Sequence, residues 1–208
     1  MDSFEKYSRL AWLFEYPCAD NVMEINEIME MLPQVSSEAK EAYERFLAAF
    51  LPLSEHAREE YFVRTFEVEA VTTMDLGFIL FGEEYKRGAF LAMMQEEQLR
   101  AGNDTRHELA DHLPNVMRLL PLMDDRELAS ELACSMVLPA VREISARFSG
   151  IENMYGFLFV MLQSLLEHDV AGLPYDQYII RHDTDHSPAG EAYACGSQFL
   201  ETIGKHKF

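Results

Sequence analysis

The sequence predicts an all-α fold, a single-domain bundle of roughly eight to ten helices. Two observations carry that prediction. Apolar residues recur at helical spacing in almost every segment, and the alternating patterns and Asn-Gly turns of β-hairpins are missing. The opening "LAWLFEYP" is a short apolar run closed by a proline, and breaks follow at 16–20 and 32–37. Tyr43, Phe46, Leu47, Phe50 and Leu51 line one helix face. After the break at 51–54, Ala57, Tyr61, Phe62, Thr65 and Phe66 line another. The stretch that follows, with Thr72, Thr73 and Gly77, is poor in helix formers. A turn at Gly82 then leads through Glu83 and Glu84 into the next helix, where acids suit the N-terminal end.

A break at 102–104 precedes "HELADHLPNVMRLL". Asp111, three residues before Pro114, reads as the cap of a helix whose Leu113, Val116, Met117 and Leu120 face the core. Beyond the break at 121–124, Ala129, Leu132, Ala133, Met136, Val137, Ala140, Val141 and Ile144 form the longest stripe. Pro139 inside it predicts a kink. After a further break at 149–151, residues 152–166 are apolar on nearly all sides, as befits the central helix of the core. This organisation places a helical body at 1–171. The tail at 172–208 is expected to be loop-rich and packed on the same domain, with one short helix near 190–203.

The totals narrow the function classes. The chain has 208 residues, 49% of them hydrophobic, enough for one sizeable core. Its 17 basic and 36 acidic residues give a net charge of -19, which disfavours nucleic acid and favours a basic peptide, a basic protein or a metal. The same surplus also serves simple solubility. The start has no basic region leading into an apolar one, and the run "MYGFLFVMLQSLL" is too short to span a bilayer. Cys18, Cys134 and Cys195 lie far apart and odd in number, which suits reduced thiols. A cytoplasmic protein without stable membrane insertion is expected.

Chemistry-bearing motifs are few. Asp111 and His112 are adjacent, so on a helix they would point about 100° apart and not converge on one substrate atom. In "RHDTDHSP", His182 and His186 have the four-residue spacing of a helical metal pair. The proline and the Asp/Thr residues between them favour a solvated loop. There is no phosphate loop, nucleophile elbow or activated cysteine context. A metal-dependent hydrolase using Asp111, His112, His182, Asp183 and His186 is one alternative reading, and a generic helical adaptor is another. The segment 62–88, "FVRTFEVEAVTTMDLGFILFGEEYKRG", combines aromatic and aliphatic residues with Glu67, Glu83 and Glu84. That composition suits either an acid-rimmed apolar groove for an amphipathic basic peptide or ordinary core with solvated acids.

These same residues resemble the NarJ branch of the NarJ/TorD/DmsD chaperones, which mature molybdenum oxidoreductases. Phe62, Val63, Thr65, Phe66, Glu67, Leu76, Leu80, Phe81, Gly82, Glu83, Lys86, Arg87 and Gly88 match that branch without a gap. Leu10, Leu13, Phe14, Tyr16 and Pro17 match its opening motif. "ELADHLP" is similar to a hybrid of two signatures: Glu108, Asp111 and His112 match the TorD branch, and Glu108, Leu109, Asp111, Leu113 and Pro114 the NarJ branch. Departures are Tyr85 in place of an arginine, acidic Glu69 in a stretch often basic, and Leu109 in place of the TorD proline.

The resemblance implies an all-helical, non-catalytic cytoplasmic chaperone, monomer or homodimer, that holds no cofactor of its own. It would bind the N-terminal leader of a molybdopterin oxidoreductase catalytic subunit, often a twin-arginine sequence, and assist cofactor insertion and assembly. The client-binding residues it implies are Tyr16, Phe66, Glu67, Leu76, Phe81, Glu83, Tyr85, Arg87, Asp111 and His112.

Overall fold

The computed structural model describes residues 4–17, 25–32 and 35–180. Within them the chain is helical, as expected, and its β-type pairing is a lone antiparallel bridge between Asp75 and His112. Helix α1 (Glu5–Leu10) continues into a 3-10 turn (Ala11–Phe14), and α2 is Ile25–Met31. The stripe from Tyr43 to Phe50 lies on α3 (Ser37–Phe50), where Tyr43, Phe46, Leu47 and Phe50 are all buried. Helix α4 (Glu55–Val63) runs into a π turn (Arg64–Val68). Both helices start on serines, with Ser36 Oγ accepting from Ala39 N–H and Ser54 Oγ from Ala57 N–H. Helices α5 (Leu76–Phe81), α6 (Tyr85–Arg100) and α7 (Leu113–Leu119) follow.

The longest apolar stripe becomes α8 (Arg126–Leu132), a second π turn (Ala133–Val137) and α9 (Leu138–Arg147), end to end. Here the expected kink at Pro139 takes the form of a π turn. Pro139 has no N–H to offer the Ser135 carbonyl. That carbonyl accepts instead from Tyr178 N–H at 2.9 Å.

Helix α10 (Met154–Asp169) is the axis of the fold, packing most extensively on α3 and then on α9. Leu158, Phe159, Met161, Leu162, Leu165 and Leu166 are fully buried, which is why the sequence is apolar nearly all round there. Its first turn is capped by Asn153, whose Oδ1 accepts from Tyr155 N–H at 2.9 Å. Its last turn is tied to α1, where Asp169 accepts from Lys6 Nζ and Tyr7 Oη, each at 2.7 Å. Helix α1 and its 3-10 turn pack on α7, and α5 packs on α6 and α9. From Leu173 the described chain runs without regular secondary structure over the α8–α9 side of the body, where Leu173, Tyr175, Tyr178 and Ile180 pack against the core. The helix expected near 190–203 lies outside the described residues.

Candidate functional site

The motif residues gather in two places. The first is a corner where α5 and α7 begin. Leu76 N–H donates to the Asp111 carbonyl at 3.1 Å and Leu113 N–H to the Met74 carbonyl at 2.9 Å, so the chain just before each helix pairs with the other. Asp111, 1% exposed, sends Oδ2 to Gly77 N–H at 2.8 Å. This corrects the expectation that Asp111 caps the helix beginning near Pro114. Its carboxylate caps the first turn of α5, while His112 stands at the N-cap of α7 with no side-chain capping bond. The His112 ring turns to Asp75 instead, Nδ1 to Oδ1 at 3.0 Å. The adjacent pair therefore points to two different partners, from a turn ahead of α7 and not from the helix itself.

The electrostatics of the corner are uneven. The His112 hydrogen bond holds the Asp75 carboxyl below its ordinary pKa. Burial pushes Asp111 up, with Asp75 adding to the rise and the Gly77 N–H opposing it. Asp111 Oδ1 is buried without a hydrogen-bond partner. Gly77 is the residue that lets the carboxylate in, because a Cβ there would stand 2.7 Å from Asp111 Oδ2. Arg87 of α6 flanks the corner, its guanidinium 5.2 Å over the Phe78 ring and 3.8 Å from Glu83.

The second place is an aromatic platform. Tyr16, half exposed after the first 3-10 turn, meets the Phe62 ring edge-on at 5.8 Å, and Phe62 meets Phe66 at 4.9 Å. Tyr155 of α10 closes the cluster from below, 5.0 Å from Phe66. Partial burial first, and then the Glu59 and Glu67 carboxylates, push the Tyr16 phenol above its ordinary pKa. Glu15, next to Tyr16, pairs with Arg118 of α7 and Arg106 of the preceding loop, which ties the platform to the α7 side.

Of the ten residues implied by resemblance, Tyr16, Phe66 and Glu67 share the platform. Leu76, Arg87, Asp111 and His112 share the corner. Leu76 and Phe81 are buried, Glu83 is exposed, and Tyr85 is 92% exposed on the first turn of α6. None of the ten lines the groove that opens on the other side of α4. That groove, about 810 Å³, has Gly156, Phe157 and Val160 of α10 along it, between α9 (Arg142, Ser145, Ala146) and α3 (Ala49). Sequence reasoning missed it because Val160, 36% exposed, lies within a run that reads as core, and Ile151, 47% exposed, within a break between helices. Tyr61 lines the groove and stacks 6.1 Å from Tyr155, so one aromatic layer separates groove from platform.

Among the described residues no group of three or more His, Cys, Asp or Glu is placed to hold a metal, and no helix is long and apolar enough to cross a membrane. His182, Asp183 and His186 lie outside the described residues.

No protein-family model matches the chain. The chain is 24% identical over 164 residues to the probable nitrate reductase molybdenum cofactor assembly chaperone NarJ of Bacillus subtilis (strain 168). The match spans 78% of this chain and 88% of that protein. It agrees with the resemblance to the NarJ branch that the motifs carry.

Proposed function

We propose that this chain is a maturation chaperone for a molybdenum-containing oxidoreductase. It acts in the cytoplasm, binding an apolar-basic leader at the N-terminus of the catalytic subunit and holding that subunit while the cofactor is inserted, before export or membrane attachment. The observation that carries the reading is the platform. Three aromatic rings from two distant stretches converge beside the Glu59 and Glu67 carboxylates, on a chain of net charge -19. Leader arginines pair bidentately with those carboxylates and stack on the half-exposed Tyr16 ring, while leucine and phenylalanine side chains lie against the partly exposed Phe66, with Phe62 buried beneath as support. The Asp75–His112 and Gly77–Asp111 bonds serve this face by locking the starts of α5 and α7. A leader that continues past Phe66 reaches Tyr61 and lays further apolar residues along the groove beside α10.

Titration calorimetry with a synthetic leader carrying paired arginines and apolar residues tests the reading. Binding should weaken as salt rises. Two pairs at about 0.2–1 kcal/mol each, turned from attraction to equal repulsion by Glu59→Lys with Glu67→Lys, predict a loss of about 0.8–4 kcal/mol, roughly 4- to 800-fold in affinity, at unchanged thermal midpoint. Affinity indifferent both to salt and to the two reversals would sink it.

A further inference from the structure

We propose that the seam between α5, the second π turn and α9 is a binding site for non-helical polypeptide, closed in this structure by the chain's own residues 173–180. The site is a separate one from the leader-binding platform. Its central feature is the Ser135 carbonyl, a backbone acceptor left open inside a helical path because Pro139 has no N–H. Tyr178 N–H fills it at 2.9 Å from a non-helical segment, a main-chain bond that any residue but proline can make. The neighbouring Cys134 thiol donates to the Tyr175 carbonyl at 3.6 Å. The Tyr178 ring meets Phe81 edge-on at 4.9 Å, and Arg142 Nη1 donates to Gln177 Oε1 at 2.5 Å.

The seated segment spells out the ligand chemistry. Leu173, Tyr175, Tyr178 and Ile180 face the body, while Pro174, Asp176 and Ile179 face solvent, Ile179 at 63% exposure. The site thus takes a non-helical chain with two aromatic residues three apart, an aliphatic residue two further on, and an amide or carboxylate acceptor for Arg142. None of residues 173–180 is fully buried. A cleft of about 270 Å³ remains between Gln177, Tyr178 and Ile180 on one side and Pro139, Arg142 and Glu143 on the other. With water on that side and only half-buried anchors, release of the strap is cheap compared with opening a packed helix. The partner that fits is a stretch of unfolded or extended client polypeptide carrying that pattern, which displaces the strap and takes its place.

The test uses full-length chain and a fluorescein-labelled peptide of sequence LPYDQYII, the strap's own. It contains no arginine or lysine, so its outcome is independent of the leader reading. In the wild type the tethered strap competes at high effective concentration and the peptide binds weakly. Tyr178→Ala loosens the strap, raises the open fraction and should tighten peptide binding at least tenfold. Gln177→Ala, which cuts the Arg142 contact at the surface, should act in the same direction and more mildly. Peptide affinity no better in either variant than in wild type overturns the proposal. Hydrogen exchange on the wild type provides a reading that needs no variant. The Tyr178 amide should exchange at least 100-fold faster than those of Leu158 to Leu166. Protection equal to that of α10 would mean that the strap never opens, and the proposal fails.

Discussion

Replacing Gly77 by alanine tests the corner between α5 and α7 at its tightest point. The new Cβ would lie 2.7 Å from Asp111 Oδ2, with Phe90 Cδ1 at 3.2 Å and Arg87 Cγ at 3.4 Å. The carboxylate must withdraw from Gly77 N–H, and with Oδ1 already lacking a partner, the buried group loses its capping bond. A buried polar group left unsatisfied costs about 1–3 kcal/mol, more when charged, so about 2–4 kcal/mol is the expected penalty. Alanine is the better helix former by about 0.8–1 kcal/mol, which leaves a net loss of roughly 1–3 kcal/mol. For a domain of this size that lowers the thermal midpoint by about 2–12 °C. The same exchange in an Asp111→Ala background meets no carboxylate, so there alanine at 77 should be neutral or stabilising. Urea unfolding of the four proteins, followed by circular dichroism, gives the double-mutant cycle. Additive effects, or a Gly77→Ala loss that persists undiminished without Asp111, would refute the account of the corner.

The two aspartates should respond to pH with opposite signs. The folded pKa of Asp75 is lowered, so its contribution is present above the ordinary aspartate value and lost as pH falls through the folded one. The deficit of Asp75→Asn, measured by urea midpoint, should therefore shrink on acidification. The folded pKa of Asp111 is raised, so its burial cost appears as pH rises from the ordinary value through the folded one. Asp111→Asn should compare better with wild type at pH 7 than at pH 4. On α10, Leu158→Ala should cost about 2–5 kcal/mol, whereas Val160→Ala, two residues on at the groove, should stay within about 0.5 kcal/mol by the same assay. Asn153 caps α10 and donates to Thr65 Oγ1 at 2.9 Å. Asn153→Ala should therefore cost about 1–2 kcal/mol in a thermal melt.

Much of the architecture was legible in the sequence because it is encoded locally. The stripe from Tyr43 to Phe50 places its buried residues on one side of α3, and the all-round apolar composition of 152–166 foretells the burial of α10. Ser36, Ser54, Asp125 and Asn153 announce helix starts because a side chain caps backbone two or three residues ahead of itself. Asp111 defeated the same rule. It is a capping residue type one position ahead of the α7 N-cap, yet the N–H it satisfies belongs to Gly77, 34 residues earlier.

Sequence by itself therefore determined the all-α class, the main breaks between helices and the core faces, each a matter of spacing within a few turns, and the acidic character, a matter of composition. Only the tertiary structure decided the rest. It brought Tyr16 against Phe62, turned His112 to Asp75 and Asp111 to Gly77, opened the groove beside α10, and laid Tyr178 on the carbonyl that Pro139 leaves free. The physical reason is range. Helical periodicity is a property of residues three and four apart, whereas a buried hydrogen bond or ring contact takes whichever partner the packed helices bring within reach, at any separation along the chain.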